Sequence, residues 1–273
     1  MDTKLHKIAY QYRLDVLEMV FKAKAGHIGS SMSCLDILVV LYEFIMDTDR
    51  IKAKDPGRDR FIMSKGHAAE ALYAVLAGKG FFPKENLDTF ATFGTVFAEH
   101  PSPKIPGVEA TTGALGHGLS VGVGMSIGIK AICSPARVFV LLGDGELAEG
   151  SVWEALMAAS KFKLDNLCAI IDRNHLQISG ATEDVMPLDD LSKKLCAFGW
   201  ECRHCNGHDA NELKEALLCS LGSNKPLAVV ARTIKGYGSK LMENNAEWHH
   251  KIPKDIEYEQ IKAELVARRD ACV

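Results

Sequence analysis

Two side chains in this sequence offer hard oxygen atoms where one ion could use both. Asp144 stands between two glycines, Gly143 and Gly145, directly after the apolar run 138–142. Thirty residues on, Asn174 closes a second apolar run, 167–171, through Asp172 and Arg173. Mg2+ and Ca2+ take oxygen ligands, and Mg2+ usually joins one or two side chains to ligand phosphates. The glycines beside Asp144 let the backbone approach an anion closely, and exposed amides there can bind it. The chemistry on offer is a metal that bridges protein and diphosphate. Gly-Asp-Gly alone is also ordinary turn chemistry. Its specificity comes from the unit around it.

That unit spans 137–180. Val152, Ala155, Leu156 and Ala159 fall at helical spacing between the two apolar runs. A strand, helix and strand of this length make two parallel strands joined by a right-handed crossover. Asp144 and Asn174 then lie just past the carboxyl ends of parallel strands, where ligands bind in open α/β sheets. The pattern recurs upstream. Residues 59–64 read as a short strand, Lys65-Gly66-His67 follows, and a helix runs from Ala68 to about Leu76. A helix N-terminus disfavours imidazolium, so His67 should be neutral and able to donate to a phosphate.

The remaining elements follow from periodicity and punctuation. An amphipathic helix covers 4–24, with Leu5, Ile8, Ala9, Tyr12 and Val16 on one stripe. The loop AGHIGSS holds His27, and a helix starting near Ser31 to Ser33 runs to Met46. A short helix is expected over 86–93, and His100 precedes a proline in an extended, turn-rich loop. A helix over 115–132 contains five glycines, each costing up to about 1 kcal/mol. Gly118, Gly122 and Gly128 suggest a smooth face pressed on another helix. Further elements are a helix over 189–198, a strand over 200–204, a helix over 210–221 capped by Asp209, a strand over 227–234 and a helix over 255–269. The result is a single domain, 1–273, of α/β class. It is a doubly wound, mostly parallel sheet of roughly five strands with helices on both faces.

With these residues in place, a family resemblance stands out. GDG, thirty residues, then Asn after an apolar strand resembles the thiamine diphosphate-binding motif. GDGELAEGSVWEA and IIDRNHLQISG are similar to transketolases in particular. The resemblance implies a thiamine diphosphate-binding fold and a metal (Mg2+, or Ca2+ or Mn2+) held by Asp144, Asn174 and the main-chain carbonyl of Leu176. AGHIGSS is similar to the family's SGHxG loop, whose His meets the substrate, although Ile28 replaces the usual proline or small residue. SKGHAAEALY is similar to SxGHxxxxLY, which implies that His67 contacts the diphosphate. His100 matches an HP in the active-site channel. TTGALG is similar to the TGxLG turn and implies cofactor contacts at Gly113, Ala114 and Leu115. Gly145, Glu149, Asp144 and Asn174 are further implied cofactor contacts. After the exit KGYG the family has a His over the cofactor; His249 matches, with His250 as rival. His27, His100 and His249 are the implied catalytic residues. GHD, at 207–209, is a structural turn.

The resemblance covers only the diphosphate-binding, amino-terminal part of the family. The family's pyrimidine-binding domain, with its glutamate, lies beyond the matched part and is expected on another chain. This implies one subunit of a split transketolase, whose partner carries the pyrimidine-binding and carboxyl-terminal domains. Two copies of each chain would form a heterotetramer that moves a two-carbon ketol unit from a ketose phosphate to an aldose phosphate. The alternatives are half of another thiamine diphosphate enzyme (a 2-oxo acid dehydrogenase component or a deoxyxylulose phosphate synthase) and a non-catalytic binding chain. SGH-, KGH- and TTGxLG-like elements in one order favour the transketolase.

Composition narrows the partners. Lys and Arg total 32 against 35 Asp and Glu, so neither nucleic acid nor a membrane surface is expected. The charged N-terminus has no apolar signal core. The longest uncharged run, 110–129, is too polar for a membrane span. Eight scattered cysteines suit a reducing compartment, so a cytoplasmic location is expected. Cys202 and Cys205 sit at an odd spacing on a strand, which sends the thiols to opposite faces and argues against zinc.

Overall fold

Four largely apolar runs and one polar edge strand pair side by side into one parallel sheet. The computed structural model describes residues 3–218 and 222–271. The strands are β1 (Arg60–Met63), β2 (Val138–Gly143), β3 (Leu167–Arg173), β6 (Glu201–Asn206) and β7 (Leu227–Arg232), with β4 (Leu176–Gln177) and β5 (Gly180–Ala181) forming a separate hairpin. The order is β1-β2-β3-β7-β6, every neighbouring pair parallel. Gly143 lies opposite Asp172, so β2 and β3 end together.

The helices are α1 (Thr3–Ala23), α2 (Ile28–Val40), α3 (Thr48–Lys52), α4 (Ala69–Gly78), α5 (Gly118–Ala131), α6 (Gly150–Lys161), α7 (Thr182–Val185), α8 (Leu191–Ala197), α9 (Ala210–Ala216) and α10 (Asp255–Asp270). Strand alternation divides them between two cores. Phe139, Leu141, Ile170 and Val229 face one side, where Val16, Leu35, Leu72 and Ile261 bring α1, α2, α4 and α10. Val140, Leu142, Ile171 and Val230 face the other, with Leu119, Leu156 and Leu195 of α5, α6 and α8. Each side chain so buried contributes about 1.5–3 kcal/mol. The two central strands, apolar on both faces, therefore read as unbroken runs. Cys205 enters the first core and Cys202 leans on the second, so the thiols do diverge.

Several boundaries differ from the sequence reading. α2 begins at Ile28, not near Ser31 to Ser33. Gly26 makes the turn at φ 122°, and the amide of His27 is capped by the Glu70 carboxylate of α4. Every residue of α2 is buried, so its serines find partners inside the protein. The helix widens into a π-turn, Leu41–Ile45, before Met46. The stretch Ile28–Ile45 is apolar enough to cross a membrane, yet it is 89% buried as a core helix. The helix expected over 86–93 is a 3-10 segment, Lys84–Thr89, ended by left-handed Ala91. α5 starts at Gly118, because Gly113 (φ 150°) and Gly116 (φ 82°) are turning. α9 stops at Ala216; the rest of that expected helix includes 219–221, outside the described residues. Asp209 caps α9 as expected, accepting from the amides of Asn211 and Glu212.

The glycine face of α5 needs correcting too. A Cβ on Gly122 would lie 2.6 Å from Val140 Cγ2, and one on Gly118 would meet Ser64, so these glycines press on strand residues. Gly124 and Gly128 meet nothing within 4 Å.

Candidate active site

The carboxyl ends of β1, β2, β3 and β7 open into one cleft of about 470 Å3, within the range of cofactor pockets. Its walls carry His27, His67, Asp144, Asn174, Lys235 and His249. Gly113, Leu115, Gly145, Glu149 and Leu176 line it as well. Two expected residues do not. Ala114 is exposed, because the chain turns at Gly113 and carries the next side chain outward. His100 is exposed beside the cleft, its ring 6.1 Å from that of His27.

Asp144 is the most constrained of these groups. Its Oδ1 accepts from the amide of Gly145 at 2.8 Å. Its Oδ2 accepts from Arg173 Nη1 at 3.0 Å and from the amide of His175 at 2.6 Å. His175 reaches it because its φ of 65° turns the chain directly after β3. A carboxylate has about four acceptor positions, so one remains, on Oδ1. Burial, helped by the nearby Asp172 charge, raises the Asp144 carboxyl above its usual range. A cation would relieve that cost. Asn174 Oδ1 accepts once, from the amide of Leu176 at 3.1 Å, and keeps its second lone pair. Two hard oxygens with unused capacity, on neighbouring strand ends, suit Mg2+ or Ca2+.

Behind this pair lies a scaffold of buried charge. Glu146 accepts from Ser64 Oγ at 2.5 Å, from the amide of Gly116 at 2.9 Å and from that of Gly143 at 3.1 Å. One carboxylate thus ties together the end of β1, the end of β2 and the turn before α5. Asp172 receives Lys65, Ser33 and Thr233. Glu70 receives the amide of His27 and Ser31 Oγ, both at 2.7 Å, and burial pushes its carboxyl up to about 7.

The histidines converge. His67 is ringed by His27 at 5.5 Å and His249 at 5.3 Å between centroids. It sits in a 3-10 turn, Gly66–Ala68, rather than on an α-helix terminus. It is held well below the usual imidazole range by burial, then by Lys65 and by the neighbouring His249, His27 and Lys235. It is neutral as expected, with burial as the largest cause. Burial, then His250, His100 and Lys235, pushes His27 down to about 4. His249 is buried and takes Lys235 at Nδ1, 3.0 Å away, whereas His250 is exposed at the rim. The GHD histidine, His208, is committed elsewhere: its Nδ1 is on Asp36 at 2.7 Å and its Nε2 accepts from the amide of Ile234.

Sequence reasoning missed Ser30, Lys65, Glu146 and Lys235 on the wall, and Glu70 and Arg173 behind it. One signal was available. Lys-Gly follows both β1 and β7, as Lys65-Gly66 and Lys235-Gly236.

A parallel doubly wound sheet with oxygen donors at two adjacent strand ends, and cations around one cleft, defines a diphosphate-binding α/β domain. Comparison with known proteins narrows this. Residues 5–270 match the family described as transketolase, thiamine diphosphate binding domain. An apulose-4-phosphate transketolase subunit of Phocaeicola vulgatus is 47% identical over 94% of this chain and 92% of its own length. A 6-deoxy-6-sulfo-D-fructose transketolase subunit of a Clostridium species is 39% identical over 86% of each chain. The crystal structure of transketolase from Campylobacter jejuni superposes with a TM-score of 0.87 at 28% identity, covering 98% of this chain and 45% of that one. This chain spans about half the length of the solved transketolases it matches. It belongs to the transketolase family, as an amino-terminal, thiamine diphosphate-binding subunit of the split kind.

Proposed function

We propose that this chain holds thiamine diphosphate through Mg2+ and completes an active site with a separate subunit carrying the pyrimidine-binding and carboxyl-terminal domains. The observation that carries the reading is the pair of unused oxygen acceptors on Asp144 and Asn174, facing a cleft that also holds His67 and Lys235. When bound, thiamine diphosphate supplies the electron sink that ketol transfer requires. Asp144, Asn174 and the carbonyl of Leu176 hold the ion. Gly113, Leu115, Gly145 and Glu149 shape the cofactor's bed. Neutral His67 donates one hydrogen bond to the diphosphate, and Lys235 supplies a positive charge. His27 and His249 face the substrate and move protons at its oxygens, with His100 beside them.

The donor is a ketose with an anionic end, and the acceptor an aldose phosphate. The substrates named for the two subunit relatives, one a phosphorylated ketose and one a sulfonated one, support that class. Two copies of each chain make the working assembly, as two active sites at a dimeric interface require. Free thiols at the six described cysteines support a cytoplasmic setting.

Asp144→Ala should abolish metal-dependent thiamine diphosphate binding while leaving the thermal melt in place. The check is a fluorescence titration with Mg2+ and then with a chelator. Unchanged titration would reject the metal assignment. Ketol transfer should appear only when the partner subunit is added.

A further inference from the structure

Three histidines of the cleft, two buried and one exposed at the rim, form a second constellation, with no residue in common with the oxygen set. One ring nitrogen from each of His27, His249 and His250 lies within 4.8 Å of the other two. The ring centroids are 4.2 Å apart for His27 and His250, 4.9 Å for His249 and His250, and 5.6 Å for His27 and His249. An independent observation marks the same point. The His27 side chain is 8% exposed, lines the cleft, and its Nδ1 has no hydrogen-bond partner among the described residues. A buried nitrogen left without a partner costs about 1–3 kcal/mol. A ligand taking that nitrogen would relieve the cost.

We propose that His27, His249 and His250 bind a borderline transition ion of the Zn2+ class, and that the ion closes the substrate end of the cleft. Ligand type keeps the two metal chemistries apart. Imidazole suits Zn2+, Cu2+ and Ni2+, whereas Mg2+ prefers the oxygens of Asp144 and Asn174. Zinc–nitrogen bonds of about 2.0–2.1 Å in a tetrahedron place the nitrogens about 3.3 Å apart. The exposed ring of His250 supplies the necessary movement. Three protein ligands leave a fourth position open to water or a substrate oxygen.

The surroundings favour neutral ligands. His27 and His249 are both buried, and the ammonium of Lys235 stands against the His249 ring. Lys235 occupies His249 Nδ1, which leaves Nε2 for the ion; as the bond forms, the hydrogen on Nε2 departs to solvent and Lys235 passes a proton to Nδ1, so the ring stays a neutral imidazole and the lysine becomes a neutral amine. Glu99 offsets the added positive charge, its Oε2 standing 4.0 Å from His27 Nδ1. Blockage of the reaction rests on the functional reading above, but metal binding at the histidines does not.

The test uses the whole chain, freed of metal with a chelator and then saturated with Mg2+. Calorimetric titration with Zn2+ should give one site per chain, and Co2+ in its place should develop visible ligand-field absorption. His250→Asn should weaken Zn2+ by at least about tenfold, with thiamine diphosphate binding in Mg2+ unchanged. Absence of a stoichiometric site would overturn the proposal. So would a site lost in Asp144→Ala but retained in His250→Asn, since the ion would then sit on the oxygens. If thiamine diphosphate fails to bind while Zn2+ still does, the functional reading falls and this site stands.

Discussion

Lys65 and Lys235 leave parallel strands through the same Lys-Gly step, and each is 1% exposed, yet their surroundings shift the two ammonium groups in opposite directions. Lys65 pairs with Asp172 and also reaches the carbonyl of Ser30 at 3.0 Å. Burial pulls its ammonium down, but Asp172 outweighs burial and raises it overall. Lys235 bonds Ser30 Oγ at 3.1 Å and His249 Nδ1 at 3.0 Å, both uncharged. Burial, then repulsion from Lys65, pushes it down to about 8. A buried cation with a carboxylate is a structural element. One with only neutral partners is stabilised best by an anion from outside, such as a diphosphate.

The largest test of this contrast is Lys65→Met. It strips Asp172 of its cation inside the core and should cost about 3–5 kcal/mol in urea denaturation. A loss near zero would show that the pair is not structural. Ser33→Ala removes a donor from the same carboxylate, with the Oγ–Oδ2 bond at 2.6 Å, and should cost about 1.5–3 kcal/mol. Lys235→Met should have the opposite sign. The folded chain holds this lysine at about 8, below its ordinary 10.5, so the unfolded chain binds the proton more tightly. The resulting cost to the fold is complete below pH 8 and disappears as pH rises from about 8 towards 10.5. After the lost bonds to Ser30 and His249 are deducted, the variant should gain on the order of 1 kcal/mol at pH 7. Its Tm advantage should fade in alkali, and its thiamine diphosphate affinity should drop about tenfold or more. A variant less stable than the parent at pH 7 would erase the contrast.

The sheet and the oxygen pair were legible for the same reason. A strand buried on both faces is an unbroken apolar run, and the glycine or polar residue that ends it marks the ligand-facing edge. Asp144, Asn174 and His67 all sit at such points, whereas His27 stands in the glycine-bearing loop between α1 and α2. The charged scaffold was not legible because its bonds join remote positions. Lys65 meets Asp172 across 107 residues, and Lys235 meets Ser30 across 205. No local period carries that information. The start of α2 was misplaced for a related reason. Serines near a helix start look like caps, but here Ser30, Ser31 and Ser33 bond outward to Lys235, Glu70 and Asp172.

Leu176 has a place in the proposed ion site through its main-chain oxygen alone. It stands on the β4–β5 hairpin, its amide tied to Asn174 and its neighbour strand entered through Gly180 at φ 137°. A codon change at this position rewrites the side chain and leaves the donor atom in place. The third oxygen is thus inherited as a bend in the backbone. Alignments that score letters will undervalue it, while an insertion in the hairpin could erase it without altering a single ligand residue.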